Sequence, residues 1–187
     1  MVKVNTCVFI SGKGSNLNNL ILRSRDYNFP IKIRLVICNN KNAYGIYYAK
    51  KNAIPILIID TNKRFFENKI IFFLLKYKIS LICLAGYMKI ISKNFFQRYK
   101  KKIINIHPSL LPKFKGLKTF TRVIENNEKK TGCTVHHVNE NLDSGCIITQ
   151  KFFFISENDN IDSLKIKTQK LEYLAFPEAI IKIFRNN

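Results

Sequence analysis

Between residues 4 and 86, short continuous apolar runs alternate with segments of helical period. VNTCVFI, IKIRLVIC, IPILIID and SLICLAG are separated by LNNLILRS, AYGIYYAKK and FFENKIIFFLLKYK. A strand that is apolar on both faces needs cover on both faces, and strands joined through helices run parallel. The pattern therefore predicts an α/β fold: a Rossmann-like, open, twisted, mainly parallel sheet with helices on both faces. Further along, the spacing predicts a short helix near residues 92–98, a strand at IINIH, a long loop and a helix over 119–126. Strands at CTVHHV and IITQKFFF and a closing helix over 161–184 complete the expectation. No linker, repeat or low-complexity stretch divides the chain, so residues 1–187 read as a single domain of ordinary size.

The formal net charge of +20 would on its own advertise a polyanion. Lys, Asn, Ile, Phe and Tyr are all abundant while Trp is absent, which is the residue usage of an AT-biased coding sequence. The basic residues are also spread along the chain, in KKN, NKR, KKK and EKK, so the composition argues against nucleic acid as the partner. Small-molecule substrates, and a monomer or weak homodimer, are the expectation. The opening MVKVNTCVFISGKG is too short an apolar run, too soon broken by Gly and Lys, for a signal peptide or membrane span. A soluble cytoplasmic protein without membrane association is expected. Cys7, Cys38, Cys83, Cys133 and Cys146 are scattered and form no C-x-x-C pair, so they read as reduced core residues, with no metal site.

Two stretches carry chemistry. SGKGSN, residues 11–16, follows the first strand and opens the first helix, where backbone N–H groups face an anion; a plain capped turn is the bland alternative. It lacks the third Gly of a dinucleotide fingerprint and the Lys-Ser/Thr of a P-loop, and the second strand ends in Asn39 and Asn40 where an acid would hold a ribose. A ribose monophosphate suits it better than a dinucleotide or a triphosphate. In INIHPSLLPKFKG, residues 104–116, strand alternation sends Asn105 and His107 to one face and Ile104 and Ile106 to the other. Burying an unpaired amide or imidazole costs a few kcal/mol, so the pair must meet partners or a cleft. Asp143, in the turn NENLDSG, is either simple turn chemistry or a carboxylate across from His107 that would raise the imidazole pKa. An amide and a protonated imidazole together can stabilise an oxyanion and donate a proton, which suits acyl transfer to a substrate's own amine. No Ser or Cys stands as a clear covalent nucleophile, with Cys133 left open.

With these motifs in order, the chain resembles the 10-formyltetrahydrofolate-dependent formyltransferases along nearly its whole length. ISGKGSNL, VICNNKNAYGIYYAKKNAIP, LAGYMKIIS, INIHPSLLPKFKG, GCTVHHVNENLDSG and LEYLAFP carry the resemblance. INIHPSLLP with a downstream LDSG marks the group, and SGKGSN selects the phosphoribosylglycinamide formyltransferase branch. The resemblance implies a cytoplasmic transferase of purine biosynthesis that moves a formyl group from 10-formyltetrahydrofolate, a co-substrate, to the amine of glycinamide ribonucleotide, with no metal. It implies a phosphate-binding N-terminal half, residues 1–100, and a catalytic and folate-binding C-terminal half, residues 101–187. It makes His107 the catalytic acid, Asn105 its partner at the formyl oxygen, and Asp143 the group that tunes the His. Gly14, Ser15 and Asn16 would hold the ribonucleotide phosphate, and Glu172 would bind the ribonucleotide on its amine or sugar side. Met88, Lys89, Ile90 and Ile91, with Asn105 and the loop Asn139, Glu140, Asn141, Leu142 and Asp143, would enclose the folate, and Arg64 would meet its glutamate tail.

The chain departs from that family at Lys89, often Arg; at Lys115, often Pro; and at Lys118 and Phe120, histidines in some members. It stops at Asn187, where relatives commonly continue, and lower stability before lost chemistry is the expectation. Rival readings are a methionyl-tRNA formyltransferase, a formyltetrahydrofolate hydrolase, and a polyanion-binding protein with a decayed site. The adjacent His136 and His137 face opposite sides of their strand, so they cannot share a metal. His136 matches the family's V-H. FFENKIIFFLL reads as core at helix spacing, and residues 152–154 as a buried or edge strand.

Overall fold

A computed structural model describes residues 2–185. Its elements are β1 (Val4–Ile10), α1 (Ser15–Ser24), β2 (Ile31–Cys38), α2 (Gly45–Lys51), β3 (Ile56–Ile58), α3 (Phe66–Lys76) and β4 (Leu81–Leu84), then α4 (Lys93–Arg98), β5 (Lys102–His107), α5 (Thr119–Glu125), β6 (Lys130–His137), β7 (Ile147–Phe154) and α6 (Ile161–Arg185). The strands form one sheet in the order β3-β2-β1-β4-β5-β6-β7. β1 pairs in parallel with β2 and β4, and β2 with β3, while β6 and β7 are antiparallel. The expected mainly parallel open sheet is therefore present. The chain forms two compact units, one ending at Ile104 and the other beginning at Asn105. Among the described residues no helix is long and apolar enough to cross a membrane.

In the first unit, β1 is buried without alternation from Thr6 to Ile10, as a central parallel strand must be. The connections β1→β2→β3 run one way across the sheet, and the chain then returns to the far side of β1 as β4. With right-handed crossovers, α1 and α2 cover one face and α3 the other. The point between the carboxyl ends of β1 and β4 is the topological switch of such a sheet, where open α/β folds place ligands. β3 is shorter than IPILIID suggested. It is an edge strand whose register extends only from Val36 to Cys38 on β2, and Pro55 at its entrance has no N–H to give. α3 buries Ile70, Ile71 and Leu74, but Phe72 and Leu75 point outward, so its aromatic run is only partly core.

The turn after β1 is closed by a backbone contact. Gly14 has φ 72°, and a Cβ built there would lie 2.4 Å from Gly45 Cα at the start of α2. Gly45 N–H donates to the Gly12 carbonyl at 3.0 Å. Gly14→Ala is therefore expected to cost about 2 kcal/mol or more, from the left-handed backbone and the collision together. A urea titration should show a lower midpoint at unchanged slope. An unchanged midpoint would contradict this account of the turn.

In the second unit, α6 packs on β6 and β7 through Leu164, Thr168, Ala175, Phe176, Ala179 and Ile180, a stripe of helical period. β7 is the sheet's edge. Phe152 and Phe154 are largely exposed there and stack edge to face at 5.7 Å. All five cysteines are free, with Cys7, Cys38, Cys83 and Cys133 buried as expected. Cys146 is exposed, because it stands in the loop before β7.

Candidate active site

β5 delivers the first two groups. Ile104 and Ile106 are buried on one side of the pleat, and Asn105 and His107 leave from the other to converge on one carboxylate. His107 Nδ1 lies 3.2 Å from Asp143 Oδ2, and the Asn105 amide Nδ2 donates to Asp143 Oδ1 at 3.3 Å. Asp143 comes from the connection between β6 and β7 and holds a left-handed backbone, φ 44°, that Asp tolerates better than most residues. The Asn139 carboxamide oxygen organises that connection, accepting from Asn141 N–H at 3.0 Å and from the Ser144 hydroxyl at 3.1 Å.

The loop after β5 closes on the same pair. Gly116 N–H donates to Asp143 Oδ2 at 2.9 Å, and the Phe114 carbonyl lies 2.9 Å from His107 Nε2. The loop needs left-handed backbone at Phe114, Gly116 and Lys118, and Arg122 on α5 secures it from outside. One arm of that guanidinium donates to the Lys115 carbonyl at 2.6 Å, and the group sits 5.4 Å from the Phe114 ring centre. The KFKG segment, residues 113–116, thus contacts both members of the His–Asp pair.

Burial lowers the His107 pKa from its ordinary value. The Asp143 charge and the Phe114 carbonyl pull it up, His136 and Arg122 push it further down, and the net direction is down. Asp143 does act upward on it, but loss of solvent outweighs the carboxylate and sets the net direction. Both ring nitrogens face oxygens, and a neutral ring has one hydrogen to share between them. Burial likewise pushes the Asp143 carboxyl up, but His136, Gly116 N–H and the charge on His107 together hold it at about 2. It is a carboxylate throughout the physiological range.

His136 on β6 is the fourth member of the set. Its Nε2 lies 3.2 Å from the Asn105 amide nitrogen and 3.6 Å from Asp143 Oδ1, and its Nδ1 donates to the His137 carbonyl at 2.8 Å. Both hydrogens of the Asn105 amide are therefore directed at neighbours, one at Asp143 and one at His136. A substrate oxygen could receive one only by exchange. His136 was not singled out as a site residue from sequence. The available signal was its alternation with Thr134 on a strand near INIH, which places it on one definite face. Cys133 points the other way on β6. Burial first and the Glu172 charge second push its thiol up to about 12, so it is no nucleophile.

Of the remaining expected site residues, Glu172 lies half-buried on α6, and its charge acts on the Cys133 thiol of β6. Asn139, Glu140, Asn141 and Leu142 are exposed on the connection that carries Asp143. In the first unit, Gly14 precedes α1, Ser15 opens it, and Asn16 is buried in its first turn. Met88, Lys89 and Ile90 are exposed and Ile91 half-buried on the loop after β4. Arg64 is exposed before α3, its guanidinium 4.7 Å from the Phe65 ring centre. Among the described residues no group of three or more His, Cys, Asp or Glu side chains gathers to hold a metal ion.

Comparison with known proteins places this geometry in a family. Residues 4–180 match the family described as Formyl transferase. A phosphoribosylglycinamide formyltransferase of Haemophilus influenzae is 41% identical over 181 residues, 95% of this chain and 85% of that protein. One of Bacillus subtilis is 37% identical over 184 residues, 96% and 94% of the two. A trifunctional purine biosynthetic protein adenosine-3 of Chironomus tentans is 39% identical over 180 residues; the match takes in 92% of this chain but only 13% of that protein. The crystal structure of phosphoribosylglycinamide formyltransferase from Anaplasma phagocytophilum superposes with a TM-score of 0.92 at 34% identity, covering 98% of this chain and 88% of that one. With these matches over nearly its whole length, the chain belongs to the formyl transferase family.

Proposed function

We propose that this protein transfers a formyl group from 10-formyltetrahydrofolate to the amine of glycinamide ribonucleotide, in purine biosynthesis. The observation that carries the reading is the convergence of Asn105, His107 and His136 on the Asp143 carboxylate, in a chain similar over nearly its full length to enzymes of that name. The substrate amine attacks the formyl carbon, and the oxygen gathers charge as the centre becomes tetrahedral. His107 starts neutral, takes the proton lost by the attacking nitrogen, and becomes an imidazolium that Asp143 stabilises. It then returns that proton to N10 as the C–N10 bond breaks, so one hydrogen passes from amine to tetrahydrofolate and the balance closes. Asn105 donates to the formyl oxygen once one of its internal bonds is exchanged.

In this reading Gly14, Ser15 and Asn16 hold the phosphate at the start of α1, and Glu172 takes the ribonucleotide's amine or sugar side. Met88, Lys89, Ile90, Ile91 and residues 139–143 line the folate, with Arg64 at its tail. The test is tetrahydrofolate release with glycinamide ribonucleotide present, absent, or replaced by methionyl-tRNA. Release that requires the ribonucleotide supports the proposal. Release without any acceptor marks a hydrolase, and release with the tRNA alone marks the other transferase. His136→Phe, which removes the group holding the Asn105 amide, is expected to lower turnover about tenfold; turnover equal to wild type would remove His136 from the set.

A further inference from the structure

A single hydroxyl in the first unit joins two segments to which the proposed function gives different ligands. Ser11 follows β1 and opens the phosphate turn; Met88 follows β4 and opens the loop proposed to meet the folate. Ser11 Oγ accepts the Met88 N–H at 2.8 Å and donates its own hydrogen to Asn39 Oδ1, at the end of β2, at 2.6 Å. The Asn40 amide donates to the Ser11 carbonyl at 3.2 Å. The contact lies across the switch point, since β1 stands between β2 and β4 in the sheet. A hydroxyl can serve here because it gives and accepts at once, forming the relay Met88 N–H to Ser11 O–H to Asn39. Alanine would leave the Asn39 oxygen and the Met88 N–H without it.

The 85–92 loop depends on few such ties. Gly86 takes φ 74°, Tyr87 packs edge to face on Phe9 at 5.2 Å, and Glu67 accepts the Ser92 N–H at 3.0 Å at the far end. Between these anchors Met88 and Ile90 are held 65% and 78% exposed, with their apolar surface available to a flat ligand. The Ser11 hydroxyl thus ties the Met88 backbone to the residue that leads into the turn.

We infer that Ser11 is a positioning residue that couples the ribonucleotide and folate subsites. The inference rests on the function proposed above. Reciprocity then requires that each ligand alter the affinity for the other by one common factor. The experiment measures the dissociation constant of folic acid with and without saturating glycinamide ribonucleotide, in wild type, Ser11→Ala and Ser11→Thr, beside steady-state kinetics. Wild type is expected to bind folic acid about fivefold more tightly with the ribonucleotide present. Ser11→Thr should keep that ratio, and Ser11→Ala should bring it close to one and raise both KM values more than it lowers kcat. If Ser11→Ala does not fold, Asn39→Ala reads the same relay from its other end. A wild-type enzyme that turns over while Ser11→Ala keeps the full ratio overturns the inference. A wild-type enzyme that transfers no formyl group overturns the functional reading instead.

Discussion

His107→Asn is expected to lower turnover by a factor of about 10³, since the amide can fill the imidazole's place but cannot carry a proton between nitrogens. The fold should tolerate the change better than the chemistry does. The imidazole faces the Phe114 carbonyl on one side and Asp143 on the other, with one hydrogen to give when neutral, and an Asn side chain can likewise donate to one of these. The discriminating measurement pairs single-turnover rate with thermal midpoint. A large fall in rate with a small fall in midpoint is the expected result. A rate within a few-fold of wild type would remove His107 from the reaction.

Asp143→Asn should combine a kinetic and a stability effect. The rate is expected to fall about 10²-fold, because the imidazolium formed during transfer loses its counter-charge. The stability effect follows from the depressed carboxyl pKa, about 2 in the folded protein against an ordinary value of 3.8. A group with a lowered folded pKa contributes stability above its unfolded pKa and loses it as pH falls through the folded one. That contribution, on the order of 2 kcal/mol at neutral pH, is therefore expected to vanish between about pH 4 and pH 2. His107 acts in the same sense at higher pH, since its lowered pKa means that the unfolded chain binds the proton first, from about pH 6.5 downward. Urea midpoints against pH should show the Asp143 step in wild type and not in Asp143→Asn. Parallel curves through that window would contradict the charge network described for Asp143.

The parts of this structure that were legible in the sequence are those with a strict period. Cys7 to Ile10 had to lie in a central strand because no side chain along it favours water, and the alternation in INIH puts Asn105 and His107 on one face. Where backbone conformation departs from the period, legibility ends. Phe114 and Lys118 take left-handed conformations that no local signal demanded, yet these bring the Phe114 carbonyl to His107 and the Gly116 N–H to Asp143. The sign of the His107 pKa shift was likewise a contest between a visible charge and an invisible loss of solvent, and only the packed loop decided it. The place of Asp143 opposite the imidazole rested on resemblance. Its turn, NENLDSG, is equally good turn chemistry, and the carboxylate's direction depends on its own positive φ.

The central claim is that a proton shuttle at His107, backed by Asp143, carries formyl transfer to the ribonucleotide amine. Its most direct test is tetrahydrofolate release by wild type and His107→Asn, each with glycinamide ribonucleotide, with methionyl-tRNA, and with no acceptor. Release only by wild type, and only with the ribonucleotide, is the expected result. Equal release by His107→Asn, or release by wild type that does not depend on the ribonucleotide, would contradict it.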